Sequence, residues 1–275
     1  MQIALVTALP QEHGAVSKMI GSWHPYGPKS LRMFRSTVSG KEIILLETGM
    51  GREPVQTALR NMLRVCRPHL LVSSGFAGSL TETCSVGDIL LGERFLYMES
   101  LHGTMADECF QVGTSETFAP FCDCHGVRRA QMLTLPRPEA KTVLSRLFCE
   151  RPTAIDMESY FVARFGMERG IPVLCLRGVS DGLHDEIDFD PRDISDSHGR
   201  IHAARVMHAV CRKPALVRSF YRLWRRSGRV GEELGKVLYA FLDLSTEYLE
   251  TLAAESRVRA SISLTEGLRT GTRAF

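Results

Sequence analysis

Two carboxylates in this chain lie where they could act on one ligand. Glu158 belongs to the segment 154–159 (AIDMES), at the predicted start of a helix. Asp181 ends an apolar run that begins at Ile171, a pattern typical of a buried strand. A carboxylate can accept hydrogen bonds from hydroxyl groups, and a carboxyl can transfer a proton to a leaving group. We therefore expect one of the two to hold hydroxyl groups and the other to deliver a proton.

The elements that must position these carboxylates alternate between strands and helices. The pattern predicts strands over Ile3–Ala8, Glu42–Glu47 and His69–Ser74, with helices over Gln11–Ile20 and Glu53–Cys66. This alternation predicts an α/β fold around a largely buried sheet. In such sheets, ligands bind outside the carboxyl ends of the strands. We expect four residues from separate parts of the sequence to converge there: Glu12, Met50, Phe76 and Asp181.

The chain is long enough to bury a large core. It has 275 residues, of which 44% are hydrophobic and 24% are charged, and this length allows one or two domains. We favour one domain over residues 1–210, a helical extension over 211–255 and a mobile tail over 256–275.

Cysteine usage and the N-terminus indicate a cytoplasmic protein. The eight cysteines are scattered, and several, such as Cys66 and Cys175, lie in apolar contexts typical of reduced, buried thiols. The apolar segment 1–6 is too short for a signal peptide, and no run approaches the length of a membrane span. The segment 122–125 (CDCH) is interpreted as a loop without a metal, because no second pair of ligands lies at a recognisable spacing.

The C-terminal extension carries most of the basic character. The net charge is +3, but residues 212–229 hold six arginines and one lysine without an acid, so the remainder carries 3 − 7 = −4. Arginines follow helical steps from Leu216 to Arg229 while aromatic residues group on another face, and a second helix is predicted from Glu232 to about Glu255. Both helices could pack on the domain or on another subunit with the arginines in solvent. Alternatively, residues 212–229 could contact an anionic membrane surface, which would place the protein at the inner face of the membrane.

Four motifs, in this order, resemble the nucleoside phosphorylase and nucleosidase superfamily. They are residues 7–12 (TALPQE), 47–51 (ETGMG), 74–80 (SGFAGSL) with 86–88 (VGD), and 156–159 (DMES) with 177–181 (RGVSD). The resemblance covers roughly residues 1 to 210, and it is greatest to methylthioadenosine/S-adenosylhomocysteine nucleosidases. The short middle segment and the Arg-rich extension are similar to the hopanoid-associated phosphorylases, which act on an adenosyl group attached to a lipid. The resemblance implies a phosphorylase/hydrolase-like three-layer fold with a central mixed twisted sheet.

The resemblance also implies roles for individual residues in cleaving an N-glycosidic bond. Asp181 would protonate the purine base, so its carboxyl must carry a proton, as burial favours. Glu158 would hold the ribose hydroxyls, and Glu12 would orient and activate the attacking water. The remaining substrate-binding residues that it implies are Met157, Ser180, Met50, Phe76, Ala77 and Gly78. No cofactor and no metal are expected.

Hydrolysis and phosphorolysis both remain open from the sequence. Related phosphorylases often place an arginine before the glycine-rich turn, where this chain has Ser73 and Ser74. Gly51 and Arg52 could still bind phosphate as a co-substrate. Residues 132–137 (MLTLPR) occupy the place of the loop that encloses the base in the nucleosidases, without an aromatic residue. Base preference is therefore open as well, and a lipid-linked adenosyl substrate is an alternative.

Structural roles compete with each functional assignment. Glu12 could be a solvated helix residue, Asp181 a cap or turn residue, and Glu158 a first-turn carboxylate that suits the helix dipole. The same fold could also serve as a non-catalytic nucleoside-binding module. Bond cleavage needs all three carboxylates and a binding module does not, so their joint presence favours an enzyme. We expect a small-molecule nucleoside substrate, a homo-oligomer with a dimer favoured, and no nucleic acid partner.

Overall fold

A computed structural model describes residues 1–99, 109–112, 116–148, 150–185 and 216–261. Side chains are described for these residues except 216–224 and 258–261. The eleven strands of the described residues are β1 (Gln2–Thr7), β2 (His24–Pro25), β3 (Arg32–Val38), β4 (Lys41–Glu47), β5 (Leu70–Ser79), β6 (Ile89–Tyr97), β7 (Cys109–Val112), β8 (Val127–Thr134), β9 (Thr153–Asp156), β10 (Val173–Asp181) and β11 (Val258–Ser261). The α-helices are α1 (Pro10–Ile20), α2 (Arg52–Met62), α3 (Ala119–His125), α4 (Lys141–Leu147), α5 (Ser159–Arg169), α6 (Leu216–Asp243) and α7 (Thr246–Glu255), and Glu116–Phe118 forms a 3₁₀ helix.

The strands form one mixed sheet in the order β11-β7-β6-β8-β9-β5-β1-β4-β3-β2, and β10 pairs with both β5 and β6. β1 is parallel to β4 and β5, and β10 is parallel to β5. In contrast, β3 is antiparallel to β4, and β9 is antiparallel to β5. Because β4, β1, β5 and β10 run the same way, their carboxyl ends meet at one edge of the sheet. This edge is where the predicted site residues should converge.

Helices cover both faces of the sheet and bury its side chains in two cores. Along β1, Ala4 and Val6 belong to the core beneath α2 and α5, whereas Ile3 and Leu5 belong to the core beneath α1, α3, α6 and α7. This alternation follows from the two-residue period of a strand. The layers of helix, sheet and helix confirm the predicted α/β three-layer fold.

The C-terminal extension is helical, as predicted, but its two helices divide at a different place. The sequence predicts a break near residues 229–232, whereas α6 runs without interruption to Asp243 and α7 begins after Ser245. Two glycines at and after the predicted break allow close packing instead. A Cβ atom at Gly235 would lie 2.8 Å from the carbonyl oxygen of Ala15, and one at Gly231 would lie 3.1 Å from Cβ of Ala15. The absence of side chains at Gly231 and Gly235 therefore allows α6 to pack closely against α1.

The C-terminal half of α6 is part of the core beneath the sheet. Leu234, Leu238 and Phe241 are fully or almost fully buried. The side chain of Ser245 accepts a hydrogen bond from the backbone N–H of Tyr248, which caps α7. Residues 211–215 lie outside the described residues, so a domain boundary at residue 210 stays a prediction.

The start of the expected tail is paired with the sheet. β11 is antiparallel to β7, and the buried Ser256 accepts a backbone hydrogen bond from Val173. The rest of the predicted tail, 262–275, lies outside the described residues. The segment 122–125, predicted to be a loop, is instead the last part of α3, which ends at Gly126 in the left-handed conformation. Over the described residues, no helix is long and apolar enough to cross a membrane.

Candidate active site

Residues from four strand ends line a cavity of about 190 Å³. It lies at the edge of the sheet where β4, β1, β5 and β10 end, and the N-termini of α1 and α5 border it. The structure brings together nine residues that the sequence predicts there: Glu12, Met50, Phe76, Ala77, Gly78, Met157, Glu158, Ser180 and Asp181. The convergence is therefore present in the structure, while the role of each residue stays a prediction.

Glu12 is held by the backbone of the segment between β1 and α1 and by that of β5. Its Oε2 atom accepts hydrogen bonds from the N–H groups of Ala8 at 2.8 Å and Leu9 at 2.9 Å, and its Oε1 atom accepts one from Phe76 at 2.9 Å. Because a carboxylate has about four acceptor positions, about one remains for another donor. Burial raises the pKa of Glu12, opposed by the charge of Arg177 and by the three backbone hydrogen bonds. Glu12 is thus a fixed, desolvated carboxyl group rather than a solvated helix residue.

Glu158 is the N-terminal cap residue of α5 and faces the same cavity. Its Oε1 atom accepts a hydrogen bond of 2.9 Å from the N–H of Gly51. Desolvation by burial, followed by the charges of Asp156 and Glu12, raises the pKa of Glu158 to about 8. The free N–H groups of the helix end are served by Asp156 instead, whose carboxylate accepts from the N–H of Ser159 at 3.2 Å. The side chain of Glu158 is therefore not needed as the helix cap.

The raised pKa of Glu158 predicts a pH-dependent cost in stability. Because this pKa lies above its ordinary 4.5, the folded protein holds the proton more tightly than the unfolded chain does. Glu158 therefore lowers the free energy of unfolding progressively as the pH rises from about 4.5 to about 8, and the cost is complete above that range. Glu158→Gln removes the charge and keeps an oxygen for the N–H of Gly51. We expect the variant to melt roughly 2–6 °C above the wild type near pH 9, for a gain of about 1–2 kcal/mol.

Thermal unfolding of both proteins near pH 9 and near pH 5 measures this effect. The difference in Tm should almost vanish at the lower pH, where Glu158 is protonated in the folded protein. A difference of the same size at both values would mean that the substitution acts through packing rather than through charge.

Arg177 is a buried cation that the sequence analysis did not include among the site residues. It lies in β10 with 3% of its surface exposed, and its Nε atom donates to Oδ2 of Asp156 at 2.9 Å. One Nη atom donates to Oγ of Ser73 at 2.9 Å. Nearby charges, including those of Asp156, Glu12 and Glu158, raise the pKa of Arg177 against the effect of desolvation. An arginine inside an apolar strand sequence is a visible signal, because such a residue is rarely buried unless it is paired.

A second, much smaller cavity lies beside the first. Its volume is about 10 Å³, and its walls include Glu12, Glu158, Arg177, Ser73 and Ser74. A buried water needs about 10–15 Å³ and two to four polar partners. The hydroxyl of Ser74 is buried and has no hydrogen-bond partner among the described residues. The chamber therefore has the size and the polar groups for one water molecule next to Glu12.

Asp181 lies across the larger cavity, at the end of β10. Its Oδ1 atom accepts a hydrogen bond of 2.6 Å from Oγ of Ser180, and its Oδ2 atom forms a buried ion pair with Lys141. The side chain of Lys141 is 2% exposed. The sequence predicts an acidic group in a desolvated pocket, whereas the structure adds a paired ammonium. No local pattern around Lys141 indicates this contact, because 40 residues separate the two partners.

The wall beyond Asp181 consists of aliphatic residues and a loop. Leu135, Arg137 and Pro138 line the cavity after the end of β8, where the sequence predicts a base-enclosing segment without an aromatic residue. Phe76 supplies an aromatic ring from β5. Ser227 of α6 also lines the cavity, a contribution from the C-terminal extension that sequence analysis did not find. The extension therefore reaches the site as well as the core.

Neither of the two candidate phosphate ligands, Gly51 and Arg52, lines either cavity. The N–H of Gly51 already donates to Glu158. Arg52 is exposed in the first turn of α2 and does not line either cavity. The described residues thus bring no cation other than Arg177 to the small chamber, and Arg177 is paired with Asp156.

Comparison with known proteins places this geometry in context. The model of the phosphorylase superfamily matches residues 2–212. A 5′-methylthioadenosine/S-adenosylhomocysteine nucleosidase of Listeria innocua is 22% identical over 234 residues, covering 77% of this chain and 97% of the relative. That of Haemophilus influenzae is 21% identical over 201 residues, covering 66% and 86%.

Solved structures show the same fold. The Helicobacter pylori 5′-methylthioadenosine/S-adenosylhomocysteine nucleosidase with butyl-thio-DADMe-Immucillin-A has a TM-score of 0.65 at 14% identity, covering 88% of this chain and 98% of that one. The native futalosine hydrolase of Helicobacter pylori has a TM-score of 0.65 at 14% identity, covering 88% and 97%. The share of this chain exceeds residues 2–212, so the structural likeness includes part of the C-terminal extension.

Proposed function

Since the chain belongs to the phosphorylase superfamily, we propose that it is an enzyme that hydrolyses the N-glycosidic bond of a purine nucleoside. The names of the two relatives described above support this class of reaction, because both are nucleosidases. The three carboxylates around the cavity supply the groups that such a cleavage needs. We infer an adenosine-type substrate. No cofactor takes part in the proposed reaction, which needs only water and proton transfer.

In the proposed mechanism, positive charge develops on the sugar as the bond to the base breaks. Glu158, which lies next to Glu12 and Asp156, would accept hydrogen bonds from the ribose hydroxyls and stabilise this charge. Met157 and Met50 would pack against the sugar. Glu12 would take a proton from a water molecule as its oxygen bonds to the anomeric carbon. Asp181 would protonate the base, so that the base leaves as a neutral molecule.

The observation that carries hydrolysis over phosphorolysis is the small chamber. Its volume of about 10 Å³ admits one water molecule beside Glu12. A phosphate ion is several times larger than a water molecule, and the walls of the chamber include the acidic side chains of Glu12 and Glu158. The nearest cation, Arg177, already neutralises Asp156. The chamber thus suits a neutral nucleophile better than an anionic one.

The decisive assay is incubation of the purified protein with adenosine, methylthioadenosine and inosine, each with and without phosphate. We expect free base and free sugar at the same rate in both conditions. Formation of sugar 1-phosphate, with no release of base when phosphate is omitted, would overturn hydrolysis in favour of phosphorolysis and would direct attention to Arg52. Binding of nucleosides without release of base from any of them would favour the non-catalytic binding module.

The backbone at Gly75 provides a test of the position of Glu12. A Cβ atom at Gly75 would lie 2.8 Å from Cδ of Glu12, so Gly75→Ala must displace the carboxylate from the N–H of Phe76. We expect the rate of base release to fall about 100-fold, within the range for loss of a general base. Gly14→Ala is the matched control, because a Cβ atom there meets nothing within 4 Å.

The control substitution should keep full activity and raise stability by up to about 1 kcal/mol, as Ala does over Gly within a helix. Rates of base release and Tm are measured for both variants. Full activity of Gly75→Ala would show that the close contact between the backbone of Gly75 and Glu12 does not hold the Glu12 carboxylate in its catalytic position.

Two features of the assembled protein are also proposals. We infer a homodimer in the cytoplasm. Size-exclusion chromatography with light scattering tests its oligomeric state.

We further propose that residues 212–229 contact an anionic membrane surface, which suits the exposed Arg225 and Arg229. Co-sedimentation with vesicles containing anionic lipid tests this contact, and failure to co-sediment with or without anionic lipid would contradict it. Arg226 is engaged differently, donating to Asp185 at 2.6 Å.

A further inference from the structure

We propose that Lys141 supplies the proton that Asp181 passes to the leaving base, so that the acid of this site is a lysine–aspartate pair rather than a carboxyl alone. This inference rests on the proposed hydrolysis and assigns a further residue to it. Lys141 is the first residue of α4, and the ion pair brings it to the end of β10. It does not line the cavity itself, so it would act through Asp181.

The contacts of Lys141 are those of a proton donor. Its Nζ atom is paired with Oδ2 of Asp181, donates to the carbonyl oxygen of Gly182 at 2.7 Å and lies 3.4 Å from the carbonyl oxygen of Asp181. Each of these partners is an acceptor, which requires N–H groups on the lysine. An ammonium in this setting holds a proton in direct contact with the carboxylate that faces the substrate.

The contacts of Asp181 are those of an ionised group. Its Oδ2 atom accepts from Lys141, and its Oδ1 atom accepts from the hydroxyl of Ser180 at 2.6 Å. A carboxylate that accepts at both oxygens has no proton of its own to give. A purine base needs that proton when it leaves, because the electron pair of the broken bond moves onto its ring. The proton must therefore come from a neighbour, and Lys141 is in contact.

The transfer balances without any further reactant. The Nζ–H bond of Lys141 breaks as an O–H bond forms on Asp181, and the O–H bond breaks as an N–H bond forms on the base. Lys141 is left as a neutral amine, Asp181 returns to the carboxylate, and the base leaves neutral. Glu12 meanwhile holds the proton taken from water. Exchange with solvent then returns one proton to Lys141 and removes one from Glu12, which restores the starting state.

The surroundings show that this pair occupies a restricted space. A Cβ atom at Gly78 would lie 2.9 Å from Nζ of Lys141 and 2.5 Å from Oδ2 of Asp181, so both side chains depend on a bare backbone there. Beyond Gly182 lies a second pair, in which Asp185 accepts from the N–H of Gly182 at 2.9 Å and from Arg226 at 2.6 Å. A buried ammonium is costly unless it is paired, and the N-terminus of a helix gives a cation no compensation. The ion pair with Asp181 is therefore what stabilises the buried ammonium of Lys141.

A leaving group that needs no proton separates this role from a structural one. 4-Nitrophenyl β-D-ribofuranoside releases a stable anion, whereas a purine nucleoside requires protonation. For Lys141→Met we expect kcat on the purine nucleoside to fall about 100-fold, with KM changed no more than about threefold. On the nitrophenyl riboside the same preparation should retain kcat within about threefold. Lys141→Arg keeps the cation but cannot release a proton, because a guanidinium is not deprotonated in proteins, so it should recover little of the loss. Asp181→Asn should share the selective defect.

Several results would overturn the inference. Wild-type turnover of the purine nucleoside by Lys141→Met would exclude proton supply. Equal losses on both substrates, or recovery of most of the loss in Lys141→Arg, would assign Lys141 a charge-pairing or structural role only. If Lys141→Met does not fold, Lys141→Gln, which can still donate to the carbonyl oxygens, is compared in the same way. A wild-type protein that releases no base at all would refute the proposed function instead, so the two failures are distinct.

Discussion

Glu12→Gln should lower kcat for base release by about 1,000-fold or more, while nucleoside binding changes little. Glu12 is the carboxylate that borders the one-water chamber and has about one acceptor position left after three backbone hydrogen bonds. An amide cannot take a proton from water, so the general base is lost, and this loss is worth up to about four orders of magnitude. Stopped assays of base release with isothermal titration of nucleoside measure the two effects separately.

The same substitution has a calculable effect on folding. The introduced amide presents one oxygen where the carboxylate of Glu12 presents two, so a backbone N–H of Ala8, Leu9 or Phe76 loses its acceptor. A buried unsatisfied donor costs about 1–3 kcal/mol. Tm should fall by several degrees without loss of the fold. Glu53→Gln, at an exposed position on α2, is the matched control and should change neither kcat for base release nor Tm.

The pH profile of the wild type gives an independent check. Because burial raises the pKa of Glu12 above its ordinary 4.5, the carboxylate gains its proton at a higher pH than an exposed glutamate. Activity should therefore be lost on the acidic side at a pH above about 4.5.

The substitution itself can also contradict the assignment. Retention of more than a tenth of the wild-type kcat in Glu12→Gln would show that Glu12 is not the general base.

Arg177→Met should destabilise the protein by about 3–5 kcal/mol and abolish measurable base release. Arg177 is the buried cation that faces Asp156, Glu12 and Glu158. Removing one partner of a buried ion pair leaves an uncompensated charge, which carries a cost of that size. The carboxylate of Asp156 would also lose one of the donors that hold it, the Nε atom of Arg177 at 2.9 Å, and with it part of the support of the N-terminus of α5. Glu158 is the N-cap residue of α5 and would move with that N-terminus, so the carboxylate proposed to bind the sugar would be displaced.

Urea unfolding and steady-state assays of Arg177→Met measure both consequences. Arg128→Met is the control, because Arg128 pairs with Asp88 at 3.0 Å on the surface, with 49% of its side chain exposed. A surface pair contributes about 0–1 kcal/mol, so the control should be nearly neutral and fully active. If Arg177→Met is no less stable than the control, the charge of Arg177 does not stabilise the folded protein against the carboxylates of Asp156, Glu12 and Glu158.

Much of the fold follows from short-range patterns. The apolar run over residues 3–6 and those that end at Glu47, Ser74 and Asp181 predict strands whose carboxyl ends share one edge of a sheet. Adjacent residues alone establish these patterns, and the sheet confirms them. The break between the C-terminal helices follows Asp243 and does not lie near residues 229–232. Gly231 and Gly235 lie inside α6, where they let Ala15 of α1 approach closely.

The candidate site divides in the same way. The residue types and the order of the motifs, through the family that they resemble, predict that Glu12, Glu158 and Asp181 lie together at the ends of the strands. What surrounds each of them depends on contacts between distant parts of the chain. Arg177 pairs with Asp156 beside Glu12 and Glu158, a chamber for one water adjoins Glu12, and Lys141 is paired with Asp181. Proton affinity and charge balance depend on distance and burial in space, and partners that are 40 residues apart in the chain leave no periodic trace in its sequence.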